Sequence, residues 1–340
     1  MKKGLLFLLL ATISIGAWAA DADEFTAETV EGVQMTFKVI SEADKTCQVG
    51  IGSWDDDGEK KYLAVNQDTS GEITIPSEAN GYKVVAIANY AFNQCRQLTK
   101  VNIPEGVTSI GEQGFYYCTG LTEIHIPSTV TSLGYVALAG CGNSATSITV
   151  AEGNPVLSSP NGCNAVIEYN SILVVGCRNT TIPENVTEIG VCAFSDCAAL
   201  TNIELPKGLT YINGCAFAGC TNLNNVEIPE NVYHIGYMAF EFCSTLTTIN
   251  LPSHINKIDD YAFFDCTNIE TIYCYIKAPI GVGENTFQRY NEDTNEHEVL
   301  PATLYVPYGT KALYQAAKGW SDFKNIVEME KIDDDPIVVS

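Results

Sequence analysis

Ile189-Gly-Val-Cys-Ala-Phe-Ser-Asp-Cys-Ala-Ala-Leu-Thr-Asn-Ile-Glu-Leu-Pro206 decides the fold, because nearly the same stretch returns every 23 residues along most of the chain. Take Ile87, Ile110, Leu133, Ile189, Ile212, Ile235 and Ile258 as starting points. The fourth residue on is Ala91, Gly114, Ala137, Ala193, Ala216, Ala239 and Ala262, and the next is Phe92, Phe115, Leu138, Phe194, Phe217, Phe240 and Phe263. Three further on stands Cys95, Cys118, Cys141, Cys197, Cys220, Cys243 and Cys266. A Leu-x-x-Ile-x-Ile-Pro run follows, as in Leu121 to Pro127, and a branched apolar residue lies three beyond the proline at Val107, Val130, Leu209, Val232 and Ile255. A fixed period of this length marks a solenoid.

The Ile-x-Ile alternation predicts a short strand with two side chains turned inward. Proline ends it, because it has no N–H for a ladder. The Ala-Phe segment is expected to return the chain as a compact helical or tight turn. One such coil cannot bury its own apolar side, whereas stacked coils can. At a rung spacing of about 4.8 Å, about nine coils make a curved slab on the order of 45 Å long.

The motif Ile-Gly-x-x-Ala-Phe-x-x-Cys-x-x-Leu-Thr-x-Ile-x-Ile-Pro resembles that of the BspA-like leucine-rich-repeat family, common among surface proteins of anaerobic gut and oral bacteria. Ile189 to Pro206 matches closely; Ile235 to Pro252 departs at Met238 and Leu251. The clear repeats run from Ile87 to Pro279 with one interruption. The expected fold is therefore an α+β repeat solenoid. It is a leucine-rich-repeat superhelix of about nine coils with a parallel strand sheet, one β-hairpin insert and a β-rich N-terminal cap.

The expected division is a signal peptide over 1–19, an N-terminal β cap over 20–86 and the solenoid over 87–279, with the hairpin insert at about 156–178. A C-terminal repeat remnant and cap follow over 280–330, then a tail over 331–340. Lys2-Lys3, the apolar run from Leu5 and Ala17-Trp-Ala19 have the layout of an export signal. The run is too short for a typical membrane span of roughly 20 residues. In the insert, Cys163 to Glu168 and Ile172 to Cys177 flank a three-residue loop, Tyr169-Asn-Ser171. The family often carries a hairpin of this look. An unbroken register from that loop sets Cys163 opposite Cys177, which makes them the disulfide candidate.

The formal charge of −23 becomes −25 without Lys2 and Lys3, which argues against nucleic acid and anionic membranes as partners. Thirteen cysteines in an exported chain suggest a disulfide framework. Yet the ladder cysteines recur as small apolar residues in a crowded position, so they are expected to be buried free thiols. Cys192 and Cys215 form a shorter ladder with the same expectation, and no Cys-x-x-Cys is present. His125, His234, His254 and His297 fall in no catalytic signature, and Asp55-Asp-Asp-Gly-Glu59 lacks the spaced layout of a calcium loop. No catalytic residue, metal or cofactor is expected.

The residues between the inward positions form two outward columns. One is Lys100, Glu123, Asn202, Asn225, Thr248 and Thr271; the other is Asn102, His125, Glu204, Glu227, Asn250 and Tyr273. In leucine-rich-repeat proteins this is commonly the concave binding face, so these residues are the candidate site. The aromatic coil corners at Tyr116-Tyr117, Tyr237-Met238 and Glu241-Phe242 compete with it. The export signal and the resemblance together imply an exported protein, extracellular or on the outer cell surface, with the periplasm as the other destination. The resemblance implies adhesion or recognition of a host protein, matrix protein or glycan, and with no catalytic constellation in the sequence the chain is expected to be a non-enzymatic monomer. The competing readings are a self-associating structural envelope protein and an extracellular polymer hydrolase.

Overall fold

A computed structural model of the chain describes residues 23–52, 62–283 and 285–331. The export signal, the Asp55–Glu59 run and the end of the tail lie outside the described residues.

Each repeat supplies two strands where the alternation predicted one. The expected strands are present at Leu98–Asn102, Glu123–Ile126, Ser147–Val150, Asn202–Ile203, Asn225–Val226, Thr248–Leu251 and Thr271–Cys274. A second series is only two residues long, at Ser109–Ile110, Ser132–Leu133, Glu188–Ile189, Tyr211–Ile212, His234–Ile235 and Lys257–Ile258. Both series pair in parallel between successive repeats, as in Asn202 with Asn225 and Ile189 with Ile212.

The return segment is built of turns, which corrects the α component of the expected fold. Among the described residues the helical segments are Lys311–Ala316 and the 3-10 turn Pro160–Gly162, so this is a strand-rich repeat protein. The reason lies in the backbone. The third and seventh residues of each return have positive φ, as at Tyr90 and Gln94, Cys192 and Asp196, and Met238 and Phe242. A left-handed residue every fourth position is incompatible with a right-handed helix. The alternation still satisfies the backbone. The N–H groups of Tyr90, Phe92 and Gln94 donate to the next repeat, at Glu112, Gly114 and Tyr116, while those of Ala91, Asn93 and Cys95 donate three residues back.

The Phe column forms a stack in the core. Phe92 and Phe115 lie 4.8 Å apart, and Phe194, Phe217, Phe240, Phe263 and Phe287 follow one another at 5.1 to 5.5 Å with nearly parallel rings. The cysteine column is more than filler. The thiols of Cys118, Cys141, Cys220, Cys243 and Cys266 each donate to the carbonyl of the Phe in the preceding repeat, at 2.9 to 3.2 Å. Burial pushes Cys95 and Cys197 up to about 12 and raises Cys220 and Cys243 well above the ordinary thiol range, so these groups stay protonated.

The hairpin heads a second block rather than interrupting one. An antiparallel set, Glu24–Glu28, Gln34–Ser41 and Thr46–Val49, leads into Tyr82–Ile87 and the two-residue ladder as far as Leu133. In the same way Leu157–Ser158, Ala165–Glu168 and Ile172–Gly176 lead into the ladder from Glu188–Ile189 to Lys257–Ile258. The core divides at the same place. Val166, Val175 and Cys177 pack with the first block, and Cys163, Ala165, Ile167 and Leu173 with the second.

This partition overturns the expected disulfide. Ile167 pairs with Leu173 but Val166 pairs with Val175, so a bulge at Val174 shifts the register by one residue. A one-residue shift turns a side chain to the opposite face. Cys163 and Cys177 are accordingly free thiols in different cores, the first contacting Ala165 O and the second Asn164 O.

At the C-terminal end Thr303–Val306 and Asn325–Glu328 extend the long-strand ladder. Buried Tyr314 donates to Ile276 O at 2.6 Å and Trp320 to Ile280 O at 2.8 Å, pinning the final segment over Phe287. The acidic run Glu292 to Glu296 is the turn of a hairpin between Gln288–Asn291 and Glu296–Val299.

Candidate functional site

All twelve candidate face residues lie on or directly beside the long-strand ladder, half-buried or exposed, and none is in the core. Their strands pair in separate sheets: Gly71–Thr74 with Leu98–Asn102 and Glu123–Ile126 with Ser147–Val150, then Asn202–Ile203 with Asn225–Val226, then Thr248–Leu251 onward.

In the first stretch the polar side chains bind one another. Lys100 lies 3.2 Å from Glu123 and 3.8 Å from Glu72. Asn102 donates to Glu72 at 2.7 Å and to Thr74 at 3.1 Å, and His125 meets the Thr149 hydroxyl at 2.9 Å. In the last stretch Thr248 aligns with Thr271 and Asn250 with Tyr273, whose ring stacks on Tyr305 at 4.9 Å.

The middle stretch differs. Its two strands end after two residues, and the next position on each rung is a glutamate, Glu204 and Glu227. Like charges at equivalent places on neighbouring rungs repel, which disfavours continuing the ladder through them. Leu205, at the position where Leu251 is fully buried, is only half-buried. A hollow of about 840 Å³ opens there, lined by Asn202, Glu204, Lys207, Asn225, Glu227 and Glu230 among others. A second, of about 470 Å³, continues it toward Thr180 and Glu184 and shares Asn202, Glu204 and Lys207. Among the described residues, the side chains of Glu204, Asn225 and Glu227 have no hydrogen-bond or ion-pair partner.

The other histidines each meet a polar side chain. His234 Nε2 lies 2.8 Å from Asp259, which Lys257 also meets at 2.9 Å. Burial works to raise the Asp259 carboxyl, but Lys257 and His234 together hold it below its ordinary value. His254 meets Glu230, and His297 meets Asn285. Of the aromatic corners, Tyr237 and Phe242 are exposed. Tyr117 instead crosses Gly140 and meets the Ser195 hydroxyl at 3.3 Å, tying the first block to the second. No group of three or more His, Cys, Asp or Glu side chains suited to a metal occurs among the described residues, and no helix there is long and apolar enough to cross a membrane.

The 23-residue ladder with a buried Cys in every repeat, and a buried Phe in all but the one with Leu138, is the pattern of a known family. The BspA type Leucine rich repeat region matches in six copies over residues 84–161 and 167–292, well over half of the chain. The chain belongs to this family. The gap between the two matched spans falls within the hairpin unit that divides the blocks.

Solved structures agree on the fold. A leucine rich cell surface protein from Faecalibacterium prausnitzii superposes with a TM-score of 0.55 at 23% identity, over 77% of this chain and 60% of that one. The chain thus spans less than two thirds of that protein's length. The pneumococcal vaccine antigen PcpA gives 0.53 at 13% identity, over 91% of this chain and 99% of the other. A leucine-rich repeat protein from Bacteroides ovatus gives 0.51 at 22% identity, over 90% and 76%. No curated protein matches the chain.

Proposed function

We propose that this chain is an exported, cell-surface binding protein. It is a leucine-rich-repeat superhelix of about nine coils that recognises a protein or glycan through its strand face and acts as a monomer without catalysis. The observation that carries this reading is the contrast along the face. Polar side chains pair with one another over Glu72 to Thr149, whereas Glu204, Asn225 and Glu227 border a hollow without partners. Glu204 and Glu227 are exposed acceptors at equivalent places on neighbouring rungs, where like charges repel. A ligand donating hydrogen bonds to them relieves that repulsion on binding. The family and the cell-surface description of the Faecalibacterium relative support the location.

The test is capture on panels of extracellular matrix proteins and glycans by the exported chain and by an Asn225→Ala/Glu227→Gln variant. Saturable capture by the parent, weakened about tenfold or more in the variant, supports the reading. Equal capture by both removes the hollow from it. The same variant is expected to be no less stable than the parent, because it relieves the carboxylate repulsion.

A further inference from the structure

Two cysteines stand apart from the other eleven. Cys192 and Cys215 are only half-buried, whereas every other cysteine is buried. Neither donates to a carbonyl as the core thiols do. They occupy the same left-handed position of adjacent repeats, both with φ of 56°, and their rungs are joined by Cys192 N–H donating to Gly214 O at 3.0 Å. We propose that Cys192 and Cys215 are a reactive dithiol that exchanges with external disulfides and closes to a disulfide linking the first two repeats of the second block.

Rungs joined by one backbone hydrogen bond hold equivalent Cα atoms at about 4.8 Å, inside the range a disulfide spans. Parallel Cβ atoms must close by about 1 Å to reach the usual separation. An outer turn can yield that distance; a packed core column cannot. Hence the Cys220, Cys243 and Cys266 column stays reduced with the same rung spacing. The two thiols also divide the work. Contact with Cys192 holds the Cys215 thiol below its ordinary value, against burial, while contact with Cys215 and burial push Cys192 up. A thiol that donates to a neighbouring thiolate stabilises it, so one of a touching pair ionises more readily than a lone buried thiol.

The reaction needs a small disulfide, R–S–S–R, as oxidant. Cys215 thiolate attacks one of its sulfurs, forming a mixed disulfide and releasing R–S⁻. Cys192 gives its proton to solvent and attacks the Cys215 sulfur, and the second R–S⁻ leaves. The protein loses two electrons and two protons; the small disulfide becomes two thiols.

Oxidised glutathione is the probe, applied to the folded full chain, with intact mass and peptide mapping as readouts. The expected product is a chain lighter by two hydrogens, carrying one Cys192–Cys215 cross-link, with the buried cysteines unmodified. In a Cys192→Ser variant the reaction is expected to stop as a glutathione adduct on Cys215, which reductant removes. Glutathione adducts on the parent that never close, modification directed first to the buried columns, or no reaction at all would overturn the proposal.

Discussion

The two blocks of the molecule have separate interiors built alike and differ on one face. Both begin with an antiparallel unit, run into a two-residue parallel ladder and stack a Cys per repeat with a Phe column that Leu138 interrupts in the first block. Outside, the first block ties its rungs together through Lys100, Asn102 and His125, while the second sets Glu204 against Glu227 and leaves a hollow. The repeated apolar positions therefore fix the backbone course in both, and the unrepeated polar positions decide whether the face closes on itself. A surface that spends its polar groups internally has few to offer a ligand.

The largest effects lie in the two interiors. Phe217 is fully buried between Phe194 and Phe240, whereas Phe115 stacks on Phe92 alone and has Leu138 in the next rung. Phe217→Ala is expected to cost about 4 kcal/mol, near the middle of the range for buried Phe, and Phe115→Ala about 3 kcal/mol. Chemical denaturation of both variants checks the ranking. Equal losses would mean that the first block gains from Leu138 what the second gains from its additional ring.

The seam comes next. A Cβ on Gly142 would stand 2.0 Å from Gly176 O, and one on Gly176 would stand 2.3 Å from Phe194 Cε1. Cys197 donates across the same seam to Gly142 O at 3.7 Å. Gly142→Ala is expected to cost about 2–3 kcal/mol, since backbone rather than a flexible side chain blocks the new methyl. Calorimetry should show the melting split into two transitions as the blocks part; a single, merely lowered transition would show that the hairpin keeps them coupled.

How much of this was legible beforehand depended on how often a feature repeats. The Phe, Cys and Ile-x-Ile columns showed the stacked repeat, because the same environment is met every 23 residues. The second ladder was invisible, since Ser109–Ile110 or Tyr211–Ile212 is too short for alternation to register. The thiol's role was hidden too: it depends on a Phe carbonyl 26 residues earlier. The bulge at Val174 leaves no mark in composition, so Cys163 and Cys177 were set in one register when they serve two cores. The face residues lie on the long-strand ladder, but the hollow among them follows from where strands stop.

A smaller effect tests the cysteine column in both blocks. Cys220→Ala and Cys118→Ala each remove a buried S–H donor and leave a small void, for an expected loss of about 1 kcal/mol. Similar values in the two blocks would confirm that this contact is common to both interiors, and a loss confined to one block would break the equivalence.

The smallest effect lies in the seam. Glu168 lines a hollow of about 200 Å³ between Val136, Ala137 and Leu138 of the first block and Ile172, Val174 and Val191 of the second. Burial among these groups raises its carboxyl above the ordinary value. A carboxyl raised on folding leaves stability intact below its unfolded value and withdraws it as pH rises through its folded value. Replacing the charge by an amide removes that loss. Glu168→Gln should therefore melt on the order of 1–2 °C higher than the parent at about pH 8, with the gap closing near pH 3, where the parent carboxyl is protonated in both states. A gain that persisted in acid would mean that the amide packs better in the seam, and the charge would then have no part in holding the two blocks apart.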